Sequence, residues 1–288
     1  MKAFIKIFIS IFTVALFASC EDVIQIKLDE GSKLLVVDAF INNMRVDQKV
    51  RLTYTDSYFS GQNPPPVTNG AVILKDLTSN TSYTFTNSGN GDYIYPITTA
   101  DTIARVDHDY ELNVIYDGKM YTSYGKQKRS TVVDSISSNF REKNAFTEEG
   151  YYCKFWAFDP PGPEPDYYWV KAFRNGTMYN KGGEINLAFD GAYSAGADGF
   201  IFIPPIAEGI NRFGEPYQFG DVVRVEVHSI SKEAYFFLFQ VQQQTTNSGL
   251  FATTPENVKT NINTPDGATK AIGWFNMSSV GFLEKNIN

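Results

Sequence analysis

The chain has 288 residues, two cysteines and a formal net charge of −7 at neutral pH. This acidic balance, with no basic cluster larger than the short stretch at residues 126–129, argues against nucleic acid as a partner. Aromatic residues reach 15%, which suits β-sheets and equally suits a surface that stacks on sugars or binds protein.

The N-terminal residues are typical of a bacterial lipoprotein. Lys2 and Lys6 precede an apolar run at residues 7–17, which is shorter than the roughly 20 residues that a membrane-spanning helix needs. The segment Phe17-Ala18-Ser19-Cys20 resembles a lipobox, where the cysteine is acylated and the chain is cut before it. We therefore expect a signal peptide at residues 1–19 and lipidation, including palmitate, of Cys20. A plain secretory signal that leaves Cys20 free is the alternative.

The second cysteine has no partner in the chain once Cys20 carries lipid. A disulfide framework is then excluded, although the expected compartment is oxidising. Alternation within residues 151–158 puts Cys153 on one strand face with Tyr151, Phe155 and Ala157. We expect a buried, inert thiol at Cys153 and not a nucleophile.

Short alternating runs, separated by turn residues, predict a mainly β protein. We expect a tether at residues 20–32 and two β-sandwich domains of immunoglobulin-like type, the first at residues 33–129 and the second, β-rich with one α-helix, at residues 130–288. The strands expected in the two domains lie at 34–41, 49–55, 71–77, 82–86, 92–97, 110–116 and 119–124, and at 132–140, 151–158, 167–174, 177–180, 184–189, 199–203, 222–229 and 272–277.

The sequence also predicts two hairpin turns and one helix. Asp117-Gly118 and Asn175-Gly176 predict type I′ hairpins, because both turn positions need a positive φ. A helix is expected near residues 231–246, with Ser231 as its N-cap. The apolar run at 235–239 could instead form a strand, and that alternative stays open.

One loop carries candidate ligand-binding residues. The three prolines at residues 64–66 cannot continue a strand, because proline fixes φ and lacks a backbone N–H. Tyr58 and Phe59 are therefore expected on a loop edge, where aromatic rings are available to a ligand.

Catalytic and metal-binding patterns are weak. Ser229 to Lys232 spell S-x-x-K but lack the partner motifs of serine acyl-enzymes, so capping of the helix is the better interpretation. With only two histidines in the chain, a zinc site built on several imidazoles is impossible. His108 is expected on an exposed turn, and His228 on a polar strand face. We predict no catalytic residue, metal or cofactor.

Several segments together resemble a known family, the Bacteroidetes lipoproteins called domain of unknown function 4249. The resemblance implies a surface or outer-membrane lipoprotein, often encoded near a TonB-dependent outer-membrane receptor, and brings no established catalytic residues. The acidic pair Glu21-Asp22 also resembles the signal that directs such lipoproteins to the cell surface. The segments that carry the likeness are 35–41 (LVVDAFI), 66–67 (PV), 70–74 (GAVIL), 110–112 (YEL), 117–119 (DGK), 166–168 (DYY), 220–235 (GDVVRVEVHSISKEAY), 261–262 (NI) and 273–275 (GWF).

Three functional hypotheses remain at this point. The first is a non-enzymatic, surface-exposed lipoprotein of the outer membrane that binds a small nutrient, glycan or peptide, or docks on a TonB-dependent receptor. The second is a hydrolase of glycans or peptides that uses carboxylates the sequence does not identify. The third is a structural or adhesive surface protein. We expect the first.

Overall fold

Most of the chain after residue 31 is described by the computed structural model, and it forms a β protein built around one long strand. The described residues are 32–57, 61–98, 102–162, 164–189, 199, 201–247, 254, 256–264, 267 and 270–288. Those from Lys33 onward belong to one compact unit. No helix among the described residues has the length and apolar character to cross a membrane.

Fourteen strands and two α-helices are found in this part of the chain. The strands are β1 (Leu35–Asn42), β2 (Gln48–Tyr54), β3 (Ala71–Asp76), β4 (Thr81–Gly89), β5 (Asp92–Tyr95), β6 (Asp109–Tyr116), β7 (Lys119–Lys126), β8 (Val133–Arg141), β9 (Gly150–Ala157), β10 (Tyr167–Arg174), β11 (Thr177–Met178), β12 (Asn186–Phe189), β13 (Val222–Ile230) and β14 (Ala271–Asn286). The helices are a 3₁₀ turn (Gly182–Glu184), α1 (Pro204–Ala207) and α2 (Lys232–Thr245).

Twelve of these strands join in one sheet, in the order β11-β10-β13-β14-β1-β2-β5-β4-β3-β6-β7, with β12 also pairing with β10. The remaining two, β8 and β9, pair with each other. β14 is parallel to β1 and antiparallel to β13. Parallel strands cannot be joined by a tight turn. β14, the last strand of the chain, therefore pairs with β1, the first strand, only after a long connection.

The core divides into two clusters that β14 joins. Alternate residues of a strand point to opposite faces, and one face of β14 supplies Phe275 and Met277 to the first cluster, which is formed mainly by residues of β1–β7. Farther along β14, Leu283 packs against the second cluster, and Ile287, directly after the strand, belongs to it with residues of β8–β10 and β13. A third, smaller cluster lies on the opposite face, where Ala234 and Leu238 of α2 pack with Trp274.

The segment between β7 and β8 is fixed to the middle of β14. The Gln127 side-chain amide donates to Ser279 Oγ at 2.8 Å, and Ser279 Oγ donates in turn to the Lys128 carbonyl. At Gly281 a Cβ atom would lie 2.0 Å from the Thr131 carbonyl oxygen, so only glycine permits this approach. Arg129 Nε donates to Asp166 at 2.9 Å, which ties the same segment to the start of β10.

The mainly β prediction is confirmed, and so are both hairpins, since Asp117, Gly118, Asn175 and Gly176 all have positive φ. The helix is confirmed as α2, with Ser231 Oγ accepting the Ala234 N–H at 3.0 Å.

One expected strand is wrong. Among the described residues of 199–203, only an isolated bridge between Ile201 and Phe158 forms, because Pro204 and Pro205 follow and begin α1. The last strand also runs nine residues beyond the expected end at Met277, to Asn286.

Two separate immunoglobulin-like sandwiches are not confirmed, since β14 pairs with strands from both expected domains. The boundary between residues 129 and 130 stays a prediction. The core does change from the first cluster to the second at this point of the chain.

The buried thiol is confirmed. Cys153 of β9 is 1% exposed and free. Its pKa is raised to about 12, because burial disfavours the thiolate.

We predict that residues 33–129 do not fold alone. This fragment lacks Phe275 and Met277 and the parallel partner of β1, and loss of one buried Phe side chain costs about 3–5 kcal/mol against a total stability of about 5–15 kcal/mol. Circular dichroism should show no cooperative melting transition, whereas residues 33–288 should melt cooperatively. A cooperative transition in the short fragment would contradict the shared core.

We also predict that Cys153 is protected from thiol reagents. In a Cys20→Ser variant, reaction with Ellman's reagent at pH 8 should be slow in the native protein and complete within minutes in denaturant, because the thiolate is the reactive form. Rapid stoichiometric labelling of the native protein would show that Cys153 is accessible.

Candidate binding site

A tight turn after α1 projects an aromatic side chain into solvent. Arg212 and Glu215 form the ends of the turn, in which the Glu215 N–H donates to the Arg212 carbonyl at 3.2 Å. Gly214 has a φ of +74°, the conformation that a type II turn demands at this position. Phe213 therefore stands at the tip, and its side chain is 96% exposed.

Neighbouring residues anchor this turn to the edge of β9. The Asn211 side chain accepts the Cys153 N–H and donates to the Cys153 carbonyl, both at 2.7 Å. Two residues after the turn, Tyr217 exchanges backbone hydrogen bonds with Tyr151 at 2.8 and 3.0 Å. The Asn211 side chain and the Tyr217 backbone thus make the hydrogen bonds that a neighbouring strand would otherwise make with this edge of β9.

Arg212 is held by a fork of hydrogen bonds. Its Nε and Nη2 donate to the two carboxylate oxygens of Glu184, at 2.5 and 3.2 Å. Burial alone would raise the pKa of Glu184, but hydrogen bonds from Arg212 and the Lys181 backbone outweigh it and lower that pKa. The same bond with Glu184 raises the pKa of Arg212. Both groups therefore stay charged, as a bidentate pair requires.

Two stacked tyrosine rings pack against the Arg212 guanidinium. The Arg212 guanidinium lies 4.2 Å from the centre of the Tyr179 ring, and that ring stacks on buried Tyr217 with a centroid distance of 6.2 Å. The Tyr217 hydroxyl donates to the Ile210 carbonyl at 2.6 Å. These contacts fix Arg212 in one orientation.

The loop between β8 and β9 forms the facing wall. Asn144 Oδ1 accepts the backbone N–H groups of Phe146 and Thr147 at 2.8 and 3.0 Å, an Asx turn that leaves Phe146 90% exposed. An ion pair of 2.8 Å between Lys143 and Glu148 closes the loop.

Two cavities meet at the turn. One, of about 470 Å³, lies between the turn and the segment from Tyr179 to Asn186. The other, of about 420 Å³, lies between the turn and the β8–β9 loop and includes Phe146 and Tyr152. Asn211, Arg212 and Phe213 line both.

The carboxylates of the second cavity are engaged by cations. Glu148 pairs with Lys143, and Glu208 lies 3.9 Å from Arg141. Both carboxylates therefore face a basic side chain at the rim of this cavity.

The two histidines lie outside these cavities. His108 does end a turn, in which its N–H donates to the Arg105 carbonyl at 3.2 Å, but the expected exposure is wrong, because its Nδ1 lies 2.7 Å from buried Asp76 and the side chain is largely covered. His228 does share a strand face with Arg224 and Glu226, but this face is buried there, and desolvation lowers the pKa of His228 to about 4. No group of three or more metal-ligating side chains occurs within the described residues.

The predicted site residues Cys20, Tyr58 and Phe59 lie outside the described residues. Sequence reasoning missed Phe146 and Phe213. The available signal was an aromatic residue inside a turn, directly before Gly214 in one case and two residues after Asn144 in the other. An aromatic side chain inside a tight turn cannot reach the hydrophobic core, so it stays exposed to solvent.

The comparisons with known proteins give a family. The chain matches the model described as Domain of unknown function (DUF4249) over residues 21–282, and no curated protein matches it. A solved structure from Bacteroides uniformis, provisionally described as a carbohydrate binding protein, is 9% identical, with 88% of this chain and 98% of that chain covered and a TM-score of 0.23. A likeness of this size carries no argument. The family model spans most of the chain and confirms the resemblance seen in the sequence, so the chain belongs to the family called domain of unknown function 4249.

Proposed function

We propose that this protein is a non-enzymatic binding lipoprotein that takes a saccharide in the two cavities around Arg212 and Phe213. The observation that carries the proposal is the exposure of Phe146 and Phe213, at 90% and 96%, on one cavity. Binding sites typically group large apolar side chains in one concavity, although these side chains stay exposed in the folded protein and add nothing to its stability.

The chemistry of the walls favours a saccharide. A sugar ring has an apolar C–H face, which fits an aromatic ring, and a rim of hydroxyl groups, which fits amide, carboxylate and guanidinium groups. The described cavities offer both kinds of surface: Phe146, Phe213 and Tyr152 on one side, and Asn211, Arg212 and Glu208 on the other. Because these polar groups are already held by neighbours, little side-chain entropy is lost on binding.

The cellular setting belongs to the same proposal. Acylation of Cys20 would anchor the chain in the outer membrane, with residues 20–32 as a tether and the β protein at the cell surface. Several acyl chains suffice for stable anchoring, since each buried methylene contributes about 0.8 kcal/mol. A saccharide held there would be passed to a TonB-dependent receptor, a step supported by the resemblance to Bacteroidetes lipoproteins that are often encoded near such a receptor.

A second candidate function is direct docking on that receptor. Exposed aromatic side chains at the tips of two turns also suit the centre of a protein interface. In that case the same residues would bind protein, and no saccharide would compete.

We predict that Phe146→Ala and Phe213→Ala each weaken saccharide binding at least about tenfold, or about 1.4 kcal/mol. Isothermal titration calorimetry with maltohexaose, xylohexaose and chitohexaose measures the affinity. Neither substitution should lower the melting temperature, because both side chains are exposed.

Phe219→Ala is the matched control, because Phe219 is 75% exposed and lines neither cavity. It should bind like the unchanged protein. Absence of binding to all three oligosaccharides, or an equal loss in the control, would overturn the saccharide site. Capture of a TonB-dependent receptor that depends on Phe146 and Phe213 would then favour docking.

We further predict that Cys20→Ala abolishes membrane anchoring. In cells fed an alkyne analogue of palmitate, the unchanged protein should be labelled and sediment with membranes, whereas the variant should be unlabelled. Cys153→Ala should behave like the unchanged protein, since its thiol is buried. Labelling that persists in Cys20→Ala would refute the assigned anchor.

A further inference from the structure

The face of the large sheet opposite the two main cores carries many charges that are satisfied within the protein. Asp92 lies 3.5 and 3.6 Å from two basic side chains of β2. On β13, Glu226 receives Arg224 Nε at one oxygen and contacts His228 Nε2 at the other, both at 2.9 Å. Both oxygens of Glu226 are therefore occupied.

Two opposite charges on this face lack a direct partner. Asp38 of β1 and Lys171 of β10 form no hydrogen bond or ion pair with any described residue. They attract each other and nearby charged side chains only at longer range. Glu226 lies opposite Lys171 in the strand register but is occupied by its own neighbours. Asp38 remains exposed and Lys171 partly exposed, so both can reach a ligand from solvent.

Aromatic rings connect the two charges. β14 and β13 separate β1 from β10, which in a flat sheet would put the strands about 14 Å apart, at about 4.8 Å per step. The two charges are also offset along β14, because Asp38 pairs with Trp274, whereas Lys171 pairs through Glu226 with Phe282. Yet the Phe40 and Trp169 rings meet at 5.4 Å, and Lys171 Nζ lies 4.0 Å from the Trp169 ring centre. Phe40 is two residues from Asp38 on the same face, so the sheet curves into a continuous floor.

A third polar group beside this floor lacks a partner. Trp274, the register partner of Asp38, is 6% exposed, and its indole N–H has no acceptor among the residues that the structure describes. Buried donors without acceptors are rare in folded proteins. Desolvation by the surrounding protein also raises the pKa of Asp38 and lowers that of Lys171 to about 8, so both ions gain from a ligand of complementary charge.

We propose that Asp38, Lys171 and Trp169 form a second site that binds a small zwitterion, a molecule with one ammonium and one carboxylate group. The ammonium would meet Asp38, the carboxylate would meet Lys171, and an apolar side chain would lie on the Phe40 and Trp169 rings. A free α-amino acid and a dipeptide share this chemistry. None of these residues lines the cavities around Arg212, so this site is independent of the saccharide proposal.

The test is calorimetric titration of the full chain with L-leucine and with leucyl-leucine, supported by tryptophan fluorescence, since two of the three tryptophans lie at this floor. Binding of either zwitterion is expected, and the tighter one identifies the source. Asp38→Asn and Lys171→Met should each weaken it at least tenfold. The melting temperature of Asp38→Asn should not fall, because desolvation of the Asp38 carboxylate outweighs its attraction to Lys171, Lys49 and Arg51.

Three controls keep the proposal falsifiable. N-acetyl-leucinamide has the same side chain without either charge and should not bind. Glu284→Gln, a charge change near the end of β14, and Phe213→Ala, a change in the saccharide cavity, should leave leucine binding unchanged. The proposal is overturned if neither zwitterion binds, if the neutral amide binds equally well, or if Glu284→Gln weakens binding as much as Asp38→Asn.

Discussion

The pairing of β14 with both β1 and β13 is the constraint on which the rest of the structure depends. One strand, Ala271–Asn286, contributes Phe275 and Met277 to the first core and packs Leu283 against the second, and these cores otherwise come from different parts of the chain. The hydrogen bonds from Gln127 to Ser279 and from Ser279 to Lys128 fix the intervening segment to the same strand. Because Ala271, Phe275 and Met277 of β14 belong to the first cluster, the first half of the chain has no finished core until the last strand has paired.

This arrangement decides where the binding surfaces lie. Strands β8 and β9 remain outside the large sheet, so one edge of β9 is free to take the segment from Asn211 to Tyr217. That segment presents Phe213, while the loop joining β8 and β9 presents Phe146. The concave floor with Asp38 and Lys171 exists only because β14 and β13 bring β1 and β10 into one curved sheet.

Local structure follows closely from the sequence. Positive φ at Asp117-Gly118 and Asn175-Gly176 needs residues without a steric penalty, and those dipeptides identify the hairpins. The cap at Ser231 marks the start of α2. Period-two alternation identifies buried Cys153 in the same way. These features depend on neighbours in the chain, which the sequence displays directly.

What could not be predicted depends on residues far apart in the chain. Nothing near Ala271 shows that its strand will lie parallel to Leu35, so separate sandwiches were expected where one sheet formed. The continuation of β14 past Gly281 was not predicted for a related reason. Glycine weakens a strand pattern in the sequence, but here it is needed because the Thr131 backbone occupies the space of a side chain. Phe146 and Phe213 line one cavity but lie on two loops more than 60 residues apart in the chain. His228 is buried by rings such as Trp169, which belongs to another strand.

We propose that the loops carrying Phe146 and Phe213 act together as one binding site. Amide hydrogen exchange, measured with and without a bound oligosaccharide, is the decisive test. We expect slower exchange in both the 142–149 and 208–216 segments, with β1–β7 unchanged. Protection confined to other segments, or no change in either loop despite measured binding, would contradict it.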